Sequence, residues 1–186
     1  MVIAGIDYSI TSPAICVHSG EKWSLDNCVF YYIVQKDKHL VVTDNLKGSL
    51  YKEWEAPEER FYNLADWSLD ALNEHRVSSV CLEGYAFGAR GLVFQIGENT
   101  GVLKQSIWNQ NIPITIVPPT VIKKFATGKG NANKGKMWDS FIEETNYNLY
   151  NILGMELKEK KDASPISDIV DSYYLAKYHF EELKSS

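Results

Sequence analysis

The chain has 186 residues, 45% of them hydrophobic, which suffices for one domain with a full core, residues 1–186, and is too short for two comfortable ones. No stretch approaches the roughly 18 apolar residues that would span a membrane, and the opening Met1 to Asp7 lacks the basic start and long apolar run of a secretion signal, so a soluble cytoplasmic protein is expected. The net charge of −5 excludes a nucleic-acid partner only if charge is evenly spread, yet residues 84–138 hold seven basic residues and one acidic one, leaving the rest strongly acidic.

Residues 2–7 read as a buried strand, and 12–18 as a second one after the turn signals of Ser9 to Pro13. Val29 to Val34 supplies a third, so the chain is expected to open as an antiparallel meander. Residues 35–56 are polar and read as an irregular excursion or a small hairpin. Pro57, Glu58 and Glu59 suit a helix start, and Phe61, Leu64, Ala65, Leu69 and Leu72 repeat at helical spacing to about His75.

Val77 to Leu82 fits an interior strand ending at Glu83, followed by a glycine-flanked loop and a helix from about Gly91 to Asn109. Ile112 to Val117 is the fifth strand, stopped by Pro118-Pro119, with one or two helical turns over Thr120 to Ala126. Gly128 to Gly135 reads as a flexible basic loop leading into a helix from about Lys136 to Glu144, and 146–163 as irregular. Ser164-Pro165 supplies an N-cap and first-turn proline for the last helix, with Ile166, Val170, Tyr173, Leu175 and Tyr178 mostly inward. Cys16, Cys28 and Cys81 lie in separate apolar segments without CxxC spacing, the pattern of buried reduced thiols.

Four carboxylates carry the functional reading. Asp7 and Glu83 end apolar strands, and Asp168 and Asp171 are three apart on one helix, so all four can converge on a divalent cation. Singly, each has a structural role available: a turn former, a strand-end cap, a helix-dipole partner. Asp171 is the exception, since a carboxylate among Ile169, Val170, Tyr173 and Tyr174 needs a partner. Hard Mg²⁺ prefers oxygen ligands, and two such ions about 3.5–4 Å apart can activate water, neutralise the phosphate and stabilise the leaving oxygen. Asp7 is the expected bridging ligand. The basic residues Arg90, Lys123, Lys124, Lys129 and Lys134 are the expected phosphate contacts.

Ile3-Ala4-Gly5-Ile6-Asp7, Leu82-Glu83-Gly84-Tyr85 and Ser167-Asp168-Ile169-Val170-Asp171-Ser172-Tyr173-Tyr174-Leu175-Ala176 together resemble the RuvC family of Holliday junction resolvases, particularly its bacteriophage branch. Ile122 to Lys134 is similar to the family's basic segment, whose two functional lysines fall by position on Lys123 and Lys134. The resemblance implies an α/β, RNase H-like (RuvC-type) fold with a mixed five-stranded sheet flanked by helices. It further implies an endonuclease using Mg²⁺, with Mn²⁺ as a substitute, whose metal ligands are Asp7, Glu83, Asp168 and Asp171 and whose catalytic lysine is Lys134.

By the same resemblance, the partners are four-way junctions or other branched DNA and a second copy of the chain, docked through the helix from about Gly91 to Trp108. A phage-encoded enzyme of this kind acts in the bacterial host cytoplasm. Two departures stand out. Tyr8-Ser9 follows Asp7 where bacterial relatives have Pro-Gly, and Ala86 occupies the position of a junction-wedging aromatic, between Tyr85 and Phe87. Either aromatic can stack on a base or belong to the core.

Two rival readings share the fold. A nuclease for flaps or RNA:DNA hybrids needs the same acids. A sugar-kinase or actin-like ATPase needs a glycine-rich phosphate loop, which residues 8–13 lack.

Overall fold

The computed structural model describes residues 1–85, 93–158 and 161–185. The meander forms as expected: β1 (Val2–Asp7) pairs antiparallel with β2 (Ala14–Ser19), and β2 antiparallel with β3 (Cys28–Val34). β5 (Ser79–Glu83) runs parallel to β1, and β6 (Ile114–Val117) parallel to β5. A further strand, β4 (Leu46–Leu50), lies within the segment expected to be an irregular excursion or a small hairpin; it pairs parallel with β3, and Val42 bridges antiparallel to Lys47 in a short hairpin. Among the described residues the sheet therefore has six strands rather than the five expected, in the order β4-β3-β2-β1-β5-β6.

β4 is held by more than its ladder. The Tyr32 hydroxyl accepts from the Val41 amide at 3.0 Å and lies close to the carbonyls of His39 and Val41, so the connection after β3 folds back over it. Among the described residues β4 and β6 are the sheet's edges, and β1 is interior with Asp7 at its end.

Strand alternation sorts side chains to two faces. Ala4, Ile6, Val80 and Leu82 point to the face covered by α1 (Pro57–Glu74) and α2 (Val93–Asn109). Ile3, Cys16, Phe30 and Cys81 point to the other, packed by α3 (Pro119–Thr127), α4 (Lys134–Thr145), α5 (Leu149–Ile152) and α6 (Ile166–Ser185). All three cysteines are buried and free. The short α5, within a stretch expected to be irregular, buries Leu149 and Tyr150, with Leu153 following. No described helix is long and apolar enough to cross a membrane.

The contact of α6 with β1 sets the spacing of the domain. A Cβ on Gly5 would stand 2.2 Å from the Ala176 amide nitrogen and 2.5 Å from the Ser172 carbonyl oxygen. Glycine is required there because helix backbone lies directly on strand backbone. Small residues on both sides, Gly5 with Ser172 and Ala176, give this approach.

Candidate metal and nucleic-acid site

Asp7 and Glu83 reach one rim because their strands end level. Ile6 pairs with Leu82 in the parallel ladder, and the next residues on both strands turn to the α6 face, the side of Ile3 and Cys81. Helix α6 starts at Ile166 near this rim and presents Asp168 and Asp171 one turn apart. Its close seat on Gly5, two residues before Asp7, draws the helical pair toward the strand acids.

Their mutual influence is electrostatic. Burial, followed by the charges of Glu83, Asp168 and Asp171, holds the Asp7 carboxyl well above the usual carboxylate range. Burial and the Asp171 charge push Glu83 up to about 7, against the opposing pull of Lys123 and Lys134. Asp171 rises to about 6, chiefly through burial, with Lys134 and Lys123 again opposing. Burial works to lower the Lys134 ammonium, but Asp168, Asp171 and Asp7 outweigh it and raise its pKa.

Asp168 is the one acid of the four bound by hydrogen bonds from described residues. Its Oδ1 accepts from Lys134 Nζ at 3.4 Å and from the Ser167 hydroxyl at 3.3 Å, and its Oδ2 accepts from the Ser164 hydroxyl. Lys134 Nζ also donates to Ser167 Oγ at 2.9 Å. Ser164 thus binds the carboxylate from just before α6. Neither serine role was visible in the sequence, because a hydroxyl beside an acid usually reads as a helix-start signal.

Lys134 is delivered by a structured turn, where a flexible loop was expected. Gly128, at φ 77°, closes α3, its amide donating to the Lys124 carbonyl at 2.8 Å. Ala132 is buried, and Asn133 Oδ1 accepts from the Lys136 amide at 2.9 Å, capping α4 just before Lys134. Of the other expected DNA contacts, Lys123 lies near enough to act on Glu83 and Asp171, while Lys124 and Lys129 are exposed. Tyr85 is 55% exposed, a surface rather than a core position. Phe87 and Arg90 lie outside the described residues.

The donor set fits a hard cation. All four ligand candidates are carboxylates, and those of Asp7, Glu83 and Asp171 take no hydrogen bond from any described residue. Such facing acids are stabilised by a divalent ion in place of protons. As the side chains stand, no group of three or more His, Cys, Asp or Glu among the described residues is placed to hold a metal ion.

A mixed sheet with an antiparallel three-strand start, parallel strands beyond it, helices on both faces and acids on the interior strand ends is the RNase H-like fold in its RuvC form. Thermus thermophilus RuvC superposes with a TM-score of 0.61 at 21% identity, covering 100% of this chain and 97% of that one. The same protein in complex with Holliday junction substrate gives 0.63 at 20% identity over 96% and 94%. The Fowlpox virus resolvase bound to Holliday junction DNA gives 0.55 at 18% identity over 98% and 99%. No protein-family model and no curated protein sequence matches the chain.

Proposed function

We propose that this chain is a metal-dependent, structure-selective endodeoxyribonuclease of the bacteriophage RuvC type, a single nuclease domain that resolves four-way DNA junctions by paired nicks in the host cytoplasm. The observation that carries the reading is the convergence of Asp7, Glu83, Asp168 and Asp171 from two strands and one helix, with Lys134 among them. Similarity to two resolvases solved with junction DNA supports the substrate class.

Asp7, Glu83, Asp168 and Asp171 would hold Mg²⁺, with Mn²⁺ as a substitute. When bound, the metal supplies positive charge to the phosphate and makes water acidic enough to lose its proton near neutral pH. Lys134, held by Ser167 and Asp168, places an ammonium where charge builds on the phosphate. Lys123 adds a second positive charge on the Glu83 side. Lys124 and Lys129 supply exposed phosphate contacts, and Tyr85 a ring for a base.

A two-fold dimer suits a junction with approximate two-fold symmetry. Helix α2 offers the surface: Leu103 and Ile107 are buried in the subunit, whereas Phe94 and Trp108 are 85% and 71% exposed. Gly97 and Gly101 lie at helical spacing between these rings, and no atom of the described residues beyond the helix's own backbone would lie within 4 Å of a Cβ at either, so a partner helix can approach closely.

The test is substrate choice. Purified protein with Mg²⁺ is incubated with a four-way junction, a flap, a linear duplex and an RNA:DNA hybrid. Symmetric nicks in the junction are expected. Cleavage confined to the hybrid or the flap would refute junction resolution, and cutting that persists in Asp7→Asn would refute the metal site.

A further inference from the structure

A cavity of about 260 Å³ opens on the side of β1 away from Glu83. Its walls come from the β1–β2 turn (Thr11, Ser12), the end of β3 and the residues after it (Ile33 to Lys36), His39, and the entry to α6 (Ser164, Pro165). It adjoins the carboxylates twice. Ser164 lines it while donating to Asp168 Oδ2, and the turn bearing Thr11 and Ser12 begins where Asp7 ends.

The lining is mixed in a way that suits a heterocycle on a phosphate backbone. Ile33, Val34 and Pro165 give buried apolar walls. Thr11, Gln35, Lys36 and Ser164 are exposed polar groups around them. His39 Nδ1 lies 3.3 Å from the Leu153 carbonyl, which can only accept, so Nδ1 donates there and anchors the ring at the cavity wall. Amide, imidazole and hydroxyls can read donor and acceptor edges, and Lys36 can take the adjoining phosphate. The volume falls just below the roughly 300–1,000 Å³ of drug-sized ligand sites, which suits one nucleotide and not a base pair.

We propose that this cavity receives one nucleotide of the cut strand, the neighbour of the scissile phosphate, base inward, and so sets which base is tolerated beside the cut. The proposal rests on the nuclease reading above. Lys123 and Lys134 then grip the strand on one side of the scissile phosphate and the cavity on the other.

The test uses the full chain with Mg²⁺ and a set of junctions identical except at the positions flanking the cut, each carrying A, C, G, T or an abasic site. Wild type is expected to cut the preferred base at least about tenfold faster than the abasic junction, the scale for losing a hydrogen-bonded substrate group. Gln35→Ala with Lys36→Ala, both at exposed positions, should collapse that ratio to within about twofold, with far-UV circular dichroism unchanged. A protected 2-aminopurine at the same position should lose its fluorescence change on binding in the double variant. Wild-type cutting without base preference, or a double variant that keeps the full ratio, overturns the cavity's role and leaves the nuclease reading standing. Absence of metal-dependent cutting of any of these DNAs overturns both.

Discussion

Gly5→Ala tests whether the α6–β1 approach builds the site. The added methyl would lie 2.2 Å from the Ala176 nitrogen and 2.5 Å from the Ser172 oxygen, both backbone atoms that cannot swing aside. Restoring ordinary contact requires α6 to retreat by about 1 Å. Overpacking of this kind costs about 1–3 kcal/mol. For a chain of this size that lowers the melting temperature by roughly 2–12 °C. The same retreat carries Asp168 and Asp171 away from Asp7 and Glu83, and a misplacement of about 1 Å reduces a positioned reaction about 100-fold. The assay pairs thermal unfolding with junction cleavage measured well below the variant's melting temperature. A folded Gly5→Ala protein with wild-type melting and wild-type cleavage would refute the argument that backbone contact at Gly5 gathers the acids.

If Asp171 is a cation ligand as proposed, Asp171→Asn should keep the fold and junction binding yet lose at least about 100-fold in cleavage; gel shift and single-turnover cleavage separate the two. Lys134→Met should reduce cleavage by about 100-fold or more, and Ser167→Ala, which only steadies the ammonium, should reduce it less; rates for both at several pH values settle the order. In the metal-free protein, Glu83 and Asp171 titrate near 7 and 6, above their ordinary 4.5 and 3.8. The folded chain therefore binds more protons than the unfolded one, so these groups favour the fold below about pH 4 and that contribution is lost as pH rises to about 7. Thermal scans should show this decline without metal and a larger rise in melting temperature on adding Mg²⁺ at pH 8 than at pH 5; equal Mg²⁺ shifts at both would contradict it. On the proposed dimer, Trp108→Asp should leave monomers in sedimentation and replace paired nicking with single nicks.

By itself the sequence determined most of the regular elements and singled out the candidate site residues that they carry. Alternating and helical apolar spacing placed β1, β2, β3, β5, α1 and α6, and isolated acids at strand ends and on one helix face marked the site. These features are local, so they are written in neighbouring residues. β4 was illegible because Leu46 to Leu50 holds a lysine, a glycine and a serine, and becomes a strand only by pairing with β3 and closing over Tyr32. The loop before Lys134 looked flexible from its glycines and lysines, whereas capping by Asn133 and burial of Ala132 order it. The tertiary structure alone decided that Gly5 is a helix seat, that Ser164 and Ser167 hold Asp168 and Lys134, and that a cavity opens beside the acids. The Gly5 seat and the cavity depend on segments more than a hundred residues apart meeting in space, and the Lys134–Ser167 contact on segments separated by a whole helix. Burial and mutual repulsion then give four ordinary carboxyls their raised proton affinity as a group, a property of their proximity that no single residue carries.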